Sequence, residues 1–238
     1  MLNVDKEDAI KALETGENIF LTGNAGSGKT YLIKEFARKS KKNVALTATT
    51  GIAALNLGGE TVHRFLGIGI TTRPEQADPI IKKLNKFKTS TKPWEKAKWN
   101  ILNNLDTLVI DETSMLRRDQ FELIEIVLSS IRNNPEPFGG VQIVLVGDFF
   151  QLPPVVTPTQ EKQFVDLKNP YCFQSVLWNY GKFSSINLTT NHRQSDKTFL
   201  QMLNNIRIGN ITNNIDKAMK DRINKKFNVD RKPIKLFQ

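Results

Sequence analysis

Residues Gly23, Asn24, Ala25, Gly26, Ser27, Gly28, Lys29 and Thr30 follow the spacing G-x-x-x-x-G-K-[ST], in which each residue type has a physical task. Glycines let backbone N–H groups close around phosphate oxygens without side-chain clashes. A helix beginning at about Lys29 offers the positive end of its dipole to the same anion. Lys29 neutralises the outer phosphates, and the Thr30 hydroxyl is a ligand for Mg²⁺. The bland alternative is a Gly-rich turn that binds nothing. An apolar strand pattern before the loop and a helical pattern after it favour the phosphate reading.

Two acids would complete such a site. Leu108-Val-Ile-Asp111-Glu112 reads as an apolar strand ending in two carboxylates, at the strand end where open α/β sheets bind ligands. Asp111 is the candidate metal residue, and Glu112 the candidate general base for an attacking water. Strands often end in acids, so this pair gains its weight from the loop upstream. Val144-Leu-Val-Gly-Asp148-Phe-Phe-Gln151 repeats the pattern on another strand. An amide such as Gln151 can bond both a phosphate and a water. From composition alone it is equally an ordinary loop residue.

The elements that must hold these groups alternate short apolar runs with longer amphipathic ones. That alternation implies an α/β fold with a mostly parallel sheet. Strands are expected at 18–22, 43–47, 105–110, 141–146 and, more weakly, 185–188, with helices at about 29–39 and 119–131. In the second helix Phe121, Ile124, Leu128 and Ile131 recur at helical spacing and read as core packing. Residues 67–92, rich in Thr, Pro and Lys, break the rhythm and read as a surface insertion; 153–158 is a second loop region.

At 238 residues the chain suits one large domain, or a domain with a small appendage. No run approaches the ~18 apolar residues of a membrane span, and the charged start MLNVDKEDAI lacks a signal-peptide core. The single cysteine, Cys172, excludes an intramolecular disulfide framework and suits an intracellular compartment, cytoplasmic or nucleoid-associated. With two histidines beside it, a structural zinc site is disfavoured. Net charge is +10 and the pI about 9.6, a balance that favours polyanions such as nucleic acid. Residues 217–238 alone carry net +6, as a solvated terminal segment or as a polyanion contact. A second basic stretch runs from Lys82 to Lys98.

Taken together, these segments resemble the Pif-one and RecD-like superfamily 1 DNA helicases, which move 5′ to 3′ on single-stranded DNA. The likeness runs from about Asn18 to Asn210. GNAGSGKT resembles motif I, VALTATTGIAALNLGG with TVHRF resembles motifs Ia and Ib, and VIDETSM resembles motif II. GGVQIVLVGDFFQLPPV is similar to motif III, and LTTNHRQSDKTFLQMLNNIRIGN to motif IV and the helix after it. The resemblance implies a RecA-like P-loop NTPase domain over residues 1–210, with a small inserted subdomain at about 67–92. It also implies ATP, Mg and single-stranded DNA as ligands. In such a domain Gln151 contacts the γ-phosphate and couples it to DNA, and Arg193 reaches the γ-phosphate as a finger. Thr49 and Thr50 touch the DNA backbone, and His63 and Phe65 border the strand, with Phe65 stacking on a base unless it packs in the core. His63 as an ordinary histidine and Arg193 as a structural ion pair are the plain alternatives.

The chain also departs from the family pattern. Family members usually place a glutamine upstream of the P-loop to read adenine, whereas no Gln precedes Gln76 here. Arg64 stands where Ser is common and adds positive charge near the DNA path; Thr113 stands where Ile or Val is common. The basic tail 211–238 ends in Lys232-Pro-Ile-Lys-Leu-Phe-Gln238, which resembles the opening strand of a second RecA-like domain. The expectation is a partial helicase that needs a second helicase domain or a partner protein to unwind. The alternative is a nucleotide-dependent DNA-binding or loading module with negligible hydrolysis. A nucleotide kinase is disfavoured by TVHRF and GDFFQLPPV.

Overall fold

A computed structural model describes residues 2–24, 26–156, 170–188, 196–221 and 223. Ala25, Arg193 and most of the basic tail (Arg222 and 224–238) lie outside the described residues. The chain divides into two compact units, Met1–Gln194 and Ser195–Gln238, earlier than the change expected at 210.

In the first unit the strands are β1 (Leu2–Val4), β2 (Ile19–Gly23), β3 (Val44–Ala48), β4 (Glu60–Thr61), β5 (Thr107–Asp111), β6 (Gln142–Val146) and β7 (Ser184–Leu188). They form one sheet in the order β1-β7-β2-β6-β5-β3-β4, parallel throughout. Among the described residues its α-helices are α1 (Lys6–Glu14), α2 (Lys29–Lys39), α3 (Gly51–Leu57), α4 (Val62–Leu66), α5 (Ala77–Phe87), α6 (Pro93–Asn103), α7 (Arg118–Arg132) and α8 (Val176–Tyr180). The expected strands and helices all appear within one or two residues. The short β1 and β4 were not expected.

Alternation along the strands divides the core in two. Phe20, Leu108, Ile110, Ile143 and Leu145 pack with Leu84 and Phe87 of α5, Leu102 of α6 and Phe121, Ile124 and Leu128 of α7. Ile19, Leu21, Val109, Val144 and Val146 pack with Ala9 and Leu13 of α1 and Leu32, Ile33 and Phe36 of α2. Covered on both faces, β2, β5 and β6 are buried at every residue, which is why they read as apolar runs rather than as alternating strands.

The stretch expected as a surface insertion does more than cover the surface. Ala77, Leu84 and Phe87 of α5 are buried in the same core as α7. Ile80 and Ile81 fill in the helical spacing.

Two helices make up the described part of the second unit, α9 (Lys197–Arg207) and α10 (Asn213–Lys220). Asp196 caps α9 by accepting from Phe199 N at 3.0 Å, and Thr212 caps α10 by accepting from Ile215 N at 3.4 Å. Among the described residues no helix is long and apolar enough to cross a membrane.

Candidate nucleotide-binding site

Because the sheet is parallel, the ends of β2, β5 and β6 lie at one edge, and each carries a motif there. The loop after β2 turns on glycines. Gly26 has φ 82° and Gly28 φ 86°, conformations that cost other residues dearly. At Gly23 (φ 151°) a Cβ would lie 2.7 Å from both Leu188 O and Ser27 Oγ. Gly28 is the N-cap of α2 and supplies no side-chain acceptor, so no capping side chain competes for the first amides of the helix. The Ser27 hydroxyl is buried with no hydrogen-bond partner among the described residues, an arrangement that calls for a ligand oxygen. Lys29 Nζ donates to Gly23 O at 2.7 Å and Asn24 O at 3.3 Å, which holds its cation at the loop.

Opposite stand the carboxylates of β5. Thr30 Oγ1 donates to Asp111 Oδ2 at 3.3 Å, and Glu112 N donates to Asp111 Oδ1 at 2.9 Å. Burial pushes the Asp111 carboxyl above its ordinary range, opposed by the Glu112 N–H, the Thr30 hydroxyl and the Lys29 charge. Glu112 is also raised, chiefly by burial and then by the Asp111 charge; Asp148 adds to this, while Lys29 opposes it. Its backbone is left-handed, at φ 55° and ψ 44°, a strained conformation for a non-glycine residue. A hydroxyl beside a carboxylate is a hard-oxygen donor set that fits Mg²⁺. The orphaned Ser27 hydroxyl and the glycine cradle fit a phosphate chain.

The loop after β6 is fixed from within and from behind. Buried Asp148 accepts from Phe150 N and from Gln151 Nε2, both at 3.2 Å. The ring of Phe149 packs against Phe173 at 4.7 Å, Phe20 at 4.8 Å and Trp178 at 6.1 Å between centroids. Residues 26–31, Asp111, Glu112, Gly147 and Gln151 line a single cavity of about 520 Å³, a size that suits a small ligand. The cavity therefore brings together Gly26, Ser27, Gly28, Lys29, Thr30, Asp111 and Glu112, as their spacing implied, and Gln151, as the family resemblance implied, while Gly23 and Asn24 are not among its lining residues. Ala25 and Arg193 lie outside the described residues.

The strand-facing candidates are less uniform. Thr49 Oγ1 donates to Glu112 O at 2.9 Å, and Thr49 N donates to Asp111 O at 3.1 Å. Thr50 caps α3 by accepting from Ala53 N at 3.3 Å. His63 is half-buried and shares a smaller cavity of about 160 Å³ with Thr49, Arg117 and Gln120. Burial lowers its pKa, the Gln120 side chain opposes this, and the Arg117 charge lowers it further. Arg64 is exposed and pairs with Glu60 at 3.4 Å, and Lys98 meets the same carboxylate at 3.9 Å.

Phe65 requires a correction. It is 6% exposed and belongs to the core, with Lys98 Nζ 4.4 Å from its ring centroid. This burial favours the core-packing alternative over base stacking.

Three features escaped the sequence reading. Tyr31, 64% exposed, lines the nucleotide cavity, and its only signal was its place after Thr30. Arg117 and Asp119 form a buried bidentate pair, both contacts 2.8 Å. The Thr49–Glu112 bond had no sequence signal at all.

A positive-φ glycine loop with its lysine, a hydroxyl–carboxylate pair and a second acid at one edge of a parallel sheet define a RecA-like P-loop domain. The model of the PIF1-like helicases matches residues 1–217, and the chain belongs to that family. It is 38% identical over 226 residues to the ATP-dependent DNA helicase PIF1 of Saccharomyces cerevisiae, covering 92% of this chain and 24% of that protein. A structure of Bacteroides Pif1 bound to single-stranded DNA superposes with TM-score 0.79 at 32% identity, over 96% of this chain and 51% of that one. A structure of Bacteroides sp Pif1 in complex with ADP-AlF4 gives TM-score 0.74 at 33% identity, over 91% of this chain and 48% of that one. The chain thus spans between a quarter and about half of these three matches.

Proposed function

We propose that the chain is the ATP-hydrolysing motor domain of a DNA helicase of the 5′-to-3′ type, which binds Mg–ATP in the cavity and single-stranded DNA beside it. The observation that carries this reading is one cavity joining the glycine cradle, the buried Ser27 hydroxyl, the Thr30–Asp111 pair and Glu112. The loop amides and Ser27 bind phosphate oxygens, and Lys29 supplies the cation that offsets their charge. When bound, Mg²⁺ would draw its protein oxygens from Thr30 and Asp111 and would offset charge on the transferred phosphoryl group. Glu112 takes the proton of the attacking water, for which its raised pKa suits it. Asp148 orients the Gln151 amide toward the γ-phosphate end. Arg193, outside the described residues, is proposed as the arginine that reaches the γ-phosphate.

For DNA, Thr50, His63 and Arg64 are proposed to follow the strand, with Arg64 supplying a phosphate contact, while Thr49, whose hydroxyl is committed to Glu112 O, is proposed to position that peptide rather than to touch the strand. The chain covers only part of each relative, so the reading for these 238 residues alone is slow turnover without strand separation. The test is phosphate release with and without oligothymidylate, on the chain and on Lys29→Ala. Turnover that rises with DNA and vanishes in Lys29→Ala supports the motor. ATP-dependent DNA binding without turnover would instead identify a loading module.

A further inference from the structure

The smaller cavity has no part in the phosphate chemistry, yet two buried polar groups border it unmatched. Thr49, His63, Arg117 and Gln120 form its polar lining. Ile70, Met115, Leu116 and Val155 supply apolar walls, and the exposed Ile70 and Val155 stand at its rim. Gln120 is 2% exposed. Its Nε2 donates to Thr72 O at 2.6 Å and to Ile70 O at 3.3 Å. Only the NH₂ end of an amide can meet two carbonyls, so the direction of its oxygen is settled. That oxygen, Oε1, is buried with no hydrogen-bond partner among the described residues, a costly state unless a ligand fills it. The His63 imidazole lies near enough for the Gln120 side chain to hold its pKa up against burial, but no hydrogen bond closes between them. Arg117, 6% exposed, commits Nε and Nη2 to Asp119. Its Nη1 makes no hydrogen bond among the described residues. A buried acceptor and a buried donor thus meet at one small space.

We infer that this cavity takes one pyrimidine base of the bound strand, given the strand-binding reading above. Its volume is about 160 Å³. A cavity of ~150 Å³ holds a benzene ring, so one six-membered ring fits here and the second ring of a purine does not. The Watson–Crick edge of a pyrimidine sets a donor beside an acceptor. In thymine these are N3–H and the flanking carbonyl oxygens; in cytosine they are the exocyclic NH₂ and N3. Gln120 Oε1 accepts from the donor, and Arg117 Nη1 donates to the acceptor. The apolar walls cover the faces of the ring, as in pockets that read a base held out of its stack. Unstacking costs least when the strand is already single.

Fluorescence anisotropy of the full chain with four DNA strands of equal length tests this: oligothymidylate, oligocytidylate, oligoadenylate and an abasic strand. The two pyrimidine strands should bind about tenfold tighter than the other two, the discrimination that one well-paired base edge gives. Gln120→Leu removes the buried acceptor and should bring the pyrimidine strands down to the abasic level. A strand carrying iododeoxyuridine, photocrosslinked to the wild-type chain, should attach at the peptide containing His63 or at the one containing Met115. Pyrimidine strands no tighter than abasic, a preference that survives Gln120→Leu, or crosslinks confined to other peptides would each overturn the inference. So would a Gln120→Leu chain that loses the abasic strand to the same degree, because Gln120 would then serve only its clamp on Ile70 and Thr72. Should Gln120→Leu fail to fold, the crosslink on the wild-type chain decides. If no strand binds, abasic included, the strand-binding reading itself falls.

Discussion

The hydroxyl of Thr49 donates to the carbonyl oxygen of Glu112 at 2.9 Å. This bond joins the turn that leads into α3 to the peptide of the proposed base, and it does so where the Glu112 backbone is left-handed. A second bond, from Thr49 N to Asp111 O at 3.1 Å, continues the β3–β5 ladder to the edge of the cavity.

Thr49→Val keeps the shape of the side chain and removes the donor. One hydrogen bond is worth about 0.5–1.5 kcal/mol, but a small displacement of a reacting group can cost up to about 10²-fold in rate. DNA-stimulated turnover should therefore fall about tenfold or more, with ATP affinity and DNA affinity kept. Thr49→Ser should recover the rate. Reduced DNA affinity at unchanged turnover would make Thr49 a strand contact instead.

Glu112 sets the pH dependence. Burial first, then the Asp111 charge, raise its pKa above the ordinary glutamate range. A general base acts only when ionised, so turnover should fall as pH drops through that raised value. The acid limb should thus begin at a higher pH than an exposed glutamate would give. Glu112→Gln should bind ATP, lose about 10²–10⁴ in rate and lose the acid limb. Phosphate release across the acid range reads both effects; an unshifted limb would remove Glu112 from the base role.

The motif spacings were legible because phosphate chemistry dictates the order of residue types, as in 23–30. The central strands were legible because β2, β5 and β6 are buried on both faces. Other features were hidden by length or by direction. β1 has three residues and β4 two, too short to show a period. Helix α5 hides its Ala77, Ile80, Ile81, Leu84 and Phe87 spacing behind Pro79 and its lysines. An aromatic in a motif does not declare which way it points, and Phe65 points inward once α4 forms. Nor could the sequence say that the Thr49 hydroxyl turns toward Glu112.

Phe65→Ala should act on stability. Removing a buried phenylalanine costs about 3–5 kcal/mol, visible as a lower urea midpoint. Among the molecules that remain folded, DNA affinity should stay as in wild type. Loss of DNA affinity at an unchanged midpoint would restore the stacking role.

Arg64→Ala should change the salt response of DNA binding. Each phosphate contact on a single strand contributes about −0.7 to the log–log slope, so the variant's slope should be shallower by about that amount. Equal slopes would mean that Arg64 serves Glu60 alone, to which it pairs at 3.4 Å.

Among the described residues the sheet ends in its two shortest strands, β1 on one side and β4 on the other. β4 pairs with only Thr47 and Ala48 of β3. Beside Leu46 of β3 the chain passes so close that a Cβ at Gly59 would lie 1.9 Å from Leu46 O. At Leu46 the space in which a foreign strand would dock is thus filled by backbone that only glycine permits. Short, obstructed edges of this kind resist edge-to-edge aggregation. A larger residue at 59 would push the chain away and uncover the flank of β3 at Leu46. Its expected consequence is poor solubility and amyloid-like pairing between copies, rather than a change in chemistry.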